Sequence, residues 1–194
     1  CSKLAIPRPK NLPTVLGIDE YKGNAGGQVY QVIITDIRNH SIVDILPKRD
    51  TNALIQYFSS FSRKARKQVT YIIMDMSPLF KLVMQTMFPH AHIVADRYHV
   101  CRLVDWAVER VRKREQKILV AHSKMLKHNR RILMKNPDRL TESEQIKLQE
   151  ILRISDDLRI AYGLRLAFRK IFKTFSIHNI ERHLQLWLNI VERS

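Results

Sequence analysis

The stretch VLGIDEYKG, Val15–Gly23, decides how the chain is read. Its apolar residues have the spacing of a buried strand, yet the strand closes on two adjacent carboxylates, Asp19 and Glu20. The segment KGNAGGQ (22–28) then holds three of the chain's five glycines and reads as a turn. Acid is scarce in this sequence: 34 Lys and Arg stand against 18 Asp and Glu, a net charge of +16. Two carboxylates at the end of an apolar strand are therefore a placement to explain.

Working downstream, VYQVIITDI (29–37) is a second strand, RNH a turn, and SIVDILP (41–47) a third strand. Short connections make the three an antiparallel meander. After Pro47 the apolar period changes. DTNALIQYFSSFSRKARKQ (50–68) has capping side chains at Asp50 and Thr51, then apolar residues at Ala53, Leu54, Tyr57, Phe58 and Phe61, which is helical spacing. VTYIIMD (69–75) is a short apolar run of the kind a central strand covered on both faces shows. Ser77 and Pro78 occupy the N-cap and N1 positions of a helix through Phe88, and AHIVAD (91–96) is a fifth strand. The expected order is β-β-β-α-β-α-β.

Upstream, residues 1–13 carry Pro7, Pro9 and Pro13 among basic residues and read as an extended segment. Beyond Arg97 the pattern is helical throughout. One long helix or a broken pair is expected from Tyr98 to Lys135, NPDRL (136–140) ends it, and Thr141 and Glu144 of TESE have capping-box spacing for the next helix. Helical patterns continue over 154–172 and 180–192. Trp106 and Trp187 read as core anchors, and Met74, Met76, Met84 and Met87 as packing residues.

At 194 residues and 45% hydrophobic, the chain has enough apolar material for one ordinary core and an appendage. No apolar run approaches the ~20 residues that span a bilayer, and no signal-peptide pattern opens the chain, so the cytoplasm is expected and no membrane partner. Cys1 and Cys101 form neither a disulfide framework nor a zinc spacing. The start on Cys1 and the stop at Ser194 suggest a piece of a longer protein. The positive charge is concentrated between Arg97 and Lys135, where twelve Lys and Arg face only Asp105, Glu109 and Glu115. Such an excess favours phosphate contact over a merely solvated face and makes nucleic acid the expected partner.

Three acids end three strands: Asp19 the first, Asp75 the fourth, Asp96 the fifth. If the first and fourth strands are parallel neighbours, Asp19 and Asp75 face each other across a short gap, a hard-cation site that suits Mg²⁺ and phosphoryl transfer. Each acid also has a plainer reading, Asp75 as a helix N-terminal acid and Asp19 as a turn residue. Asp96 and His99 share a first helical turn and can bind metal, hold phosphate or simply bond to each other. No Gly-rich phosphate loop, Ser-His-Asp triad or Cys/His cluster is present, which excludes the corresponding nucleotide, acyl-transfer and zinc chemistries.

In that order and spacing, LGIDEYKG, MDMSPLF and HIVADRYHV resemble the catalytic domain of DDE-type bacterial insertion-sequence transposases of the ISL-three group. The resemblance covers most of residues 12–194. It implies an α/β, ribonuclease-H-like mixed five-stranded sheet with flanking helices, followed by an all-helical segment. The implied layout is the extended segment 1–13, an incomplete catalytic core over 14–135 running into a long basic helix, and a truncated helical insertion over 136–194. Asp19 and Asp75 match the first two members of the Asp-Asp-Glu metal-binding triad, which in the complete enzyme holds two Mg²⁺ or Mn²⁺ ions. DRYH matches a motif of the group between the second Asp and the Glu, which makes Asp96 and His99 candidates for support of the site or for DNA contact.

The family's third acid follows a helical insertion, in a motif absent here. Glu181 and Glu192 lack its neighbours, so the third acid is expected outside the chain and the piece is expected to be inactive alone. The implied activity of the parent is cleavage of DNA at element ends and strand transfer to target DNA, in the bacterial cytoplasm at the nucleoid, with a homo-oligomer forming on DNA. Arg97, Arg102, Arg110, Arg112, Lys113 and Arg114 are candidate phosphate contacts. A ribonuclease-H-like nuclease or junction resolvase, and a non-catalytic DNA-binding protein derived from a transposase, remain as alternatives. Glu20, on the opposite face of a continuing strand, is expected not to be a ligand.

Overall fold

A computed structural model describes residues 9, 11–23, 29–174 and 177–193. The glycine-rich turn at 24–28 and most of the extended segment 1–13 lie outside the described residues. The chain forms two compact units, residues 1–99 and residues 100–194.

The first unit is built on one sheet. Strands β1 (Val15–Lys22), β2 (Tyr30–Asp36), β3 (Ser41–Leu46), β4 (Tyr71–Met74) and β5 (His92–Ala95) lie in the order β3-β2-β1-β4-β5. The first three are an antiparallel meander, whereas β1, β4 and β5 are mutually parallel. This is the ribonuclease-H-like topology. The meander follows from the short connections, and the parallel pairs from helical crossovers that bring the chain back to the same end of the sheet.

Alternation then sorts the side chains. Leu16, Ile18, Val32, Ile34, Ile72 and Met74 are buried on one face, against α1 (Thr51–Ser59) and α3 (Pro78–Met87). Phe58, Phe80, Val83 and Met84 supply the helical side of this core, and Tyr57, Phe58, Phe61 and Phe88 meet in edge-to-face pairs with ring centroids 5.1–5.3 Å apart. Gly17 lies on the other face. A Cβ there would stand 2.3 Å from Thr35 Oγ1 and 2.6 Å from Ile37 Cδ1, so only glycine fits beneath the neighbouring strand's side chains.

Three expectations are corrected here. The first helix does not run from 50 to 68: α1 ends at Ser59, with Ser60 as its C-cap, and the short α2 (Arg63–Lys67) restarts behind a new cap, Ser62, whose hydroxyl accepts from the Ala65 N–H. Strand β4 is buried on one face only, since Tyr71 is exposed and Ile73 half-buried; its apolar run reflects β propensity as well as burial. Strand β1 does not end at Asp19. It continues to Lys22 because the antiparallel ladder with β2 persists after the four-residue β4 has stopped.

In the second unit, α4 (Arg97–Ile118, which starts in the first unit) is followed by a 3₁₀ turn, α5 (Ser123–His128), α6 (Arg130–Met134), a second 3₁₀ turn at Pro137–Arg139, α7 (Glu142–Ile154), α8 (Asp156–Thr174) and α9 (Ile177–Glu192). The basic stretch 98–135 is thus broken twice. Leu119 leaves the helical region at φ −92°, ψ 69°, and Asn129 stops α5 by turning its side-chain amide onto the Met125 carbonyl. The capping box at Thr141 and Glu144 forms in both directions. Ser155 caps α8, accepting from the Leu158 N–H at 3.1 Å. Leu126, Leu133, Ile151 and Leu158 centre this unit's core. No helix among the described residues is long and apolar enough to cross a membrane.

Candidate active site at the strand ends

The parallel register places the acids. Ile18 pairs with Met74, and Met74 with Ala95, so Asp19, Asp75 and Asp96 each lie one residue beyond an aligned row. The ladder extends to this level, with the Asp96 N–H donating to the Met74 carbonyl at 2.7 Å. Because Ile18 and Met74 point into the core, alternation sends Asp19 and Asp75 to the opposite face, with Asp96 beside them. Neighbouring strands are about 4.8 Å apart, so the carboxylates form a row at the carboxyl ends of β4 and β5, with Asp19 at the point within β1 where its ladder with β4 stops.

Each carboxylate is oriented by a backbone donor. Asp19 Oδ1 accepts from the Glu20 N–H at 2.8 Å, Asp75 Oδ1 from Ser77 at 2.9 Å, and Asp96 Oδ1 from Tyr98 at 2.8 Å. The Asp75 bond leads the chain into α3 behind Pro78, so this residue serves the helix entrance as well as the row. His99 stands between the outer two members. Its Nε2 is 3.7 Å from Asp19 Oδ1 and 4.0 Å from Asp96 Oδ2, charge-pair distances rather than hydrogen bonds. Glu20 points away and pairs with Arg49.

Two carboxylates with hard oxygen donors on adjacent strand ends fit a Mg²⁺- or Mn²⁺-type ion, which takes one or two carboxylates and fills its remaining positions with water and phosphate. Among the described residues, no set of three His, Cys, Asp or Glu side chains is arranged to hold a metal ion. Glu181 and Glu192 both lie exposed on α9.

Residues 16–194 match the profile of a family described as transposase, of the ISL3 DDE type. The chain belongs to this family. The transposase of insertion sequence element IS1001 from Bordetella parapertussis is 25% identical over 142 residues. The match covers 71% of the chain and 35% of that relative, so it spans about a third of the relative's length. Asp19 and Asp75 both fall within the matched region, each one residue beyond the Ile18–Met74 pair of the adjacent parallel strands β1 and β4.

The candidate phosphate contacts separate into groups. Arg97 is exposed, and so are Arg110 and Lys113, neither of which has an ion-pair partner among the described residues. Arg102 lies over the Trp106 ring at 4.6 Å. Arg114 is tied to Asp157 and Glu115. Arg112 is the exception: it is only 4% exposed, grips both oxygens of Glu109 at 2.8 and 2.9 Å, and also donates to Gln116 and the Leu126 carbonyl. Its charge is spent inside the fold. Trp106, expected in the core, is 48% exposed, whereas Trp187 packs on Phe168 and donates to the Leu164 carbonyl.

Proposed function

We propose that this chain supplies part of the catalytic centre of an insertion-sequence transposase that cleaves DNA at element ends and joins the 3′-hydroxyl to target DNA. The observation that carries this reading is the row formed by Asp19, Asp75 and Asp96 one step past an aligned Ile18–Met74–Ala95 register. In it, Asp19 and Asp75 are the metal-holding acids. The backbone donors at Glu20 and Ser77 engage Oδ1 of each and leave Oδ2 to face the ligand. When bound, divalent metal activates the attacking oxygen and stabilises the leaving one. His99 and Asp96 are positioning residues: the imidazole holds the Asp19 carboxylate in place from one side, and Asp96 anchors the imidazole from the other.

On this reading the protein works in the bacterial cytoplasm at the nucleoid, with transposon ends and target DNA as partners and a homo-oligomer forming on DNA. Two carboxylates hold metal weakly when, as among the described residues, no third ligand stands with them, and on this reading the chain alone is expected not to cut DNA.

Mn²⁺ titration of the chain, followed by loss of the free-ion electron paramagnetic resonance signal, tests the assignment. Binding should be lost in Asp19→Asn and in Asp75→Asn but retained in Glu20→Gln; equal binding by all four proteins overturns it. Efficient Mg²⁺-dependent nicking by the chain alone, abolished by Asp19→Ala, overturns the inactivity. With the complete transposase, a labelled 3′-hydroxyl end should be joined to target DNA; hydrolysis without joining would favour a nuclease or resolvase.

A further inference from the structure

The outward side of α4 carries Arg102, Trp106, Arg110, Lys113 and Lys117, all exposed and at spacings of four, four, three and four residues. Those spacings keep all five on one side of the helix. Lys127 from α5 joins the basic end, where the cations line a cavity of about 580 Å³ that no carboxylate lines. The two other arginines at its wall, Arg112 and Arg114, are engaged by Glu109 and by Asp157 and Glu115. Arg110, Lys113, Lys117 and Lys127 have no ion-pair partner among the described residues. Four like charges converging on a cavity are costly unless an anion shares it.

The other end of the same side differs in chemistry. Trp106 is 48% exposed with the Arg102 guanidinium 4.6 Å from its ring centroid. An exposed indole backed by a cation is a flat platform, and nucleobases stack on such surfaces. From Arg110 to Lys117 the helix rises about 10 Å, close to the rise of three nucleotides at 3.4 Å each.

We propose that this side of α4 is a track for a DNA strand, the cavity cations holding its phosphates and the Arg102–Trp106 pair stacking an unpaired base, of the kind exposed when an end is opened. The inference rests on the transposase reading above, but it is tested by binding alone, without metal or cleavage.

Fluorescence anisotropy with a labelled 20-nucleotide single strand and its duplex, over a range of salt concentrations, decides it. The triple substitution Arg110→Gln, Lys113→Gln, Lys117→Gln should weaken both probes and reduce the slope of log affinity against log salt by about 2 for the single strand and about 3 for the duplex. Trp106→Ala should weaken the single strand about tenfold and leave the duplex within about twofold, and Trp106→Phe should restore single-strand binding. All these positions are exposed, and unchanged circular dichroism and melting verify folding. An unchanged slope in the triple variant overturns the track while leaving the strand-end acids in place. Equal loss on both probes in Trp106→Ala, or no rescue by phenylalanine, overturns the stacking. Failure of the unsubstituted chain to bind either probe overturns the track and the DNA-processing reading together.

Discussion

The two units solve the problem of a buried interior in opposite ways. In the sheet unit the interior is apolar: Leu16, Ile34, Phe58, Phe80 and Met84 are fully buried, and Gln31 and Ser77 are its only buried polar residues among those described. The sheet ladder and two helices satisfy the backbone, so side chains are free to be hydrocarbon. The helical unit buries Glu109, Arg112, Glu115 and Arg165. Its short helices leave C-terminal carbonyls without intrahelical partners, and arginines from the long helices reach across to them. Arg112 donates to the Leu126 carbonyl near the end of α5 and Arg165 to the Met134 carbonyl at the end of α6, while Asp105 holds Arg165 at 2.7 Å and Arg169 at 2.7 Å. Broken helices thus convert cations that would otherwise serve the surface into structural ties.

The sharpest way to break this contrast is to damage each interior in turn. Phe58→Ala should cost about 4 kcal/mol by emptying a dry, aromatic-lined site, with the loss insensitive to salt and seen as reduced amide-exchange protection in β1, β4 and α3. Arg165→Met should cost about 3 kcal/mol by leaving the half-buried Asp105 with Arg169 as its remaining partner and the Met134 carbonyl unpaired, and its exchange signature should be confined to α4, α6 and α8. If Arg165→Met proves as harmless as a surface change, the polar interior is decoration and the contrast fails.

A smaller effect comes from pH. Hydrogen bonding from Arg112, opposed by desolvation and helped by the charges of Arg112, Arg130 and Lys113, holds the Glu109 carboxyl below its ordinary value of 4.5. A lowered folded-state value means that its stabilisation is complete above pH 4.5 and is lost as pH falls through the lower folded value. Acid titration followed by circular dichroism should therefore melt α4 and its neighbours of the helical unit before Phe58 and the sheet core loosen. Glu109→Gln should remove that part of the pH dependence.

The succession of strands and the outward face of the two acids were legible because period-two burial is written locally: Leu16 and Ile18 alternate with Gly17 and Asp19, and Ile72 and Met74 with Ile73 and Asp75. The capping box at Thr141 was equally local. Helix breaks were not. Nothing beside Leu119 or Asn129 carries a Pro or Gly signal, and the breaks depend on how the following pieces pack. The inward turn of Arg112 and the outward turn of Trp106 were read the wrong way round, because the buried side of α4 contains Val108, Glu109, Arg112 and Glu115, a side that polarity alone assigns to solvent.

By itself, then, the sequence determined the alternation that builds the sheet, the meander, the caps, the family resemblance and the placing of Asp19 and Asp75 after apolar strand residues, since each depends on neighbours within a few residues or on a motif. Only the tertiary structure decided that Asp96 joins those acids in one row, that His99 stands between Asp19 and Asp96, and which arginines of the basic run are ties and which stay exposed. Those outcomes depend on register between strands distant in the chain and on whether an opposite charge or an orphaned carbonyl lies within about 3 Å of a guanidinium, and neither is encoded in any one stretch of residues.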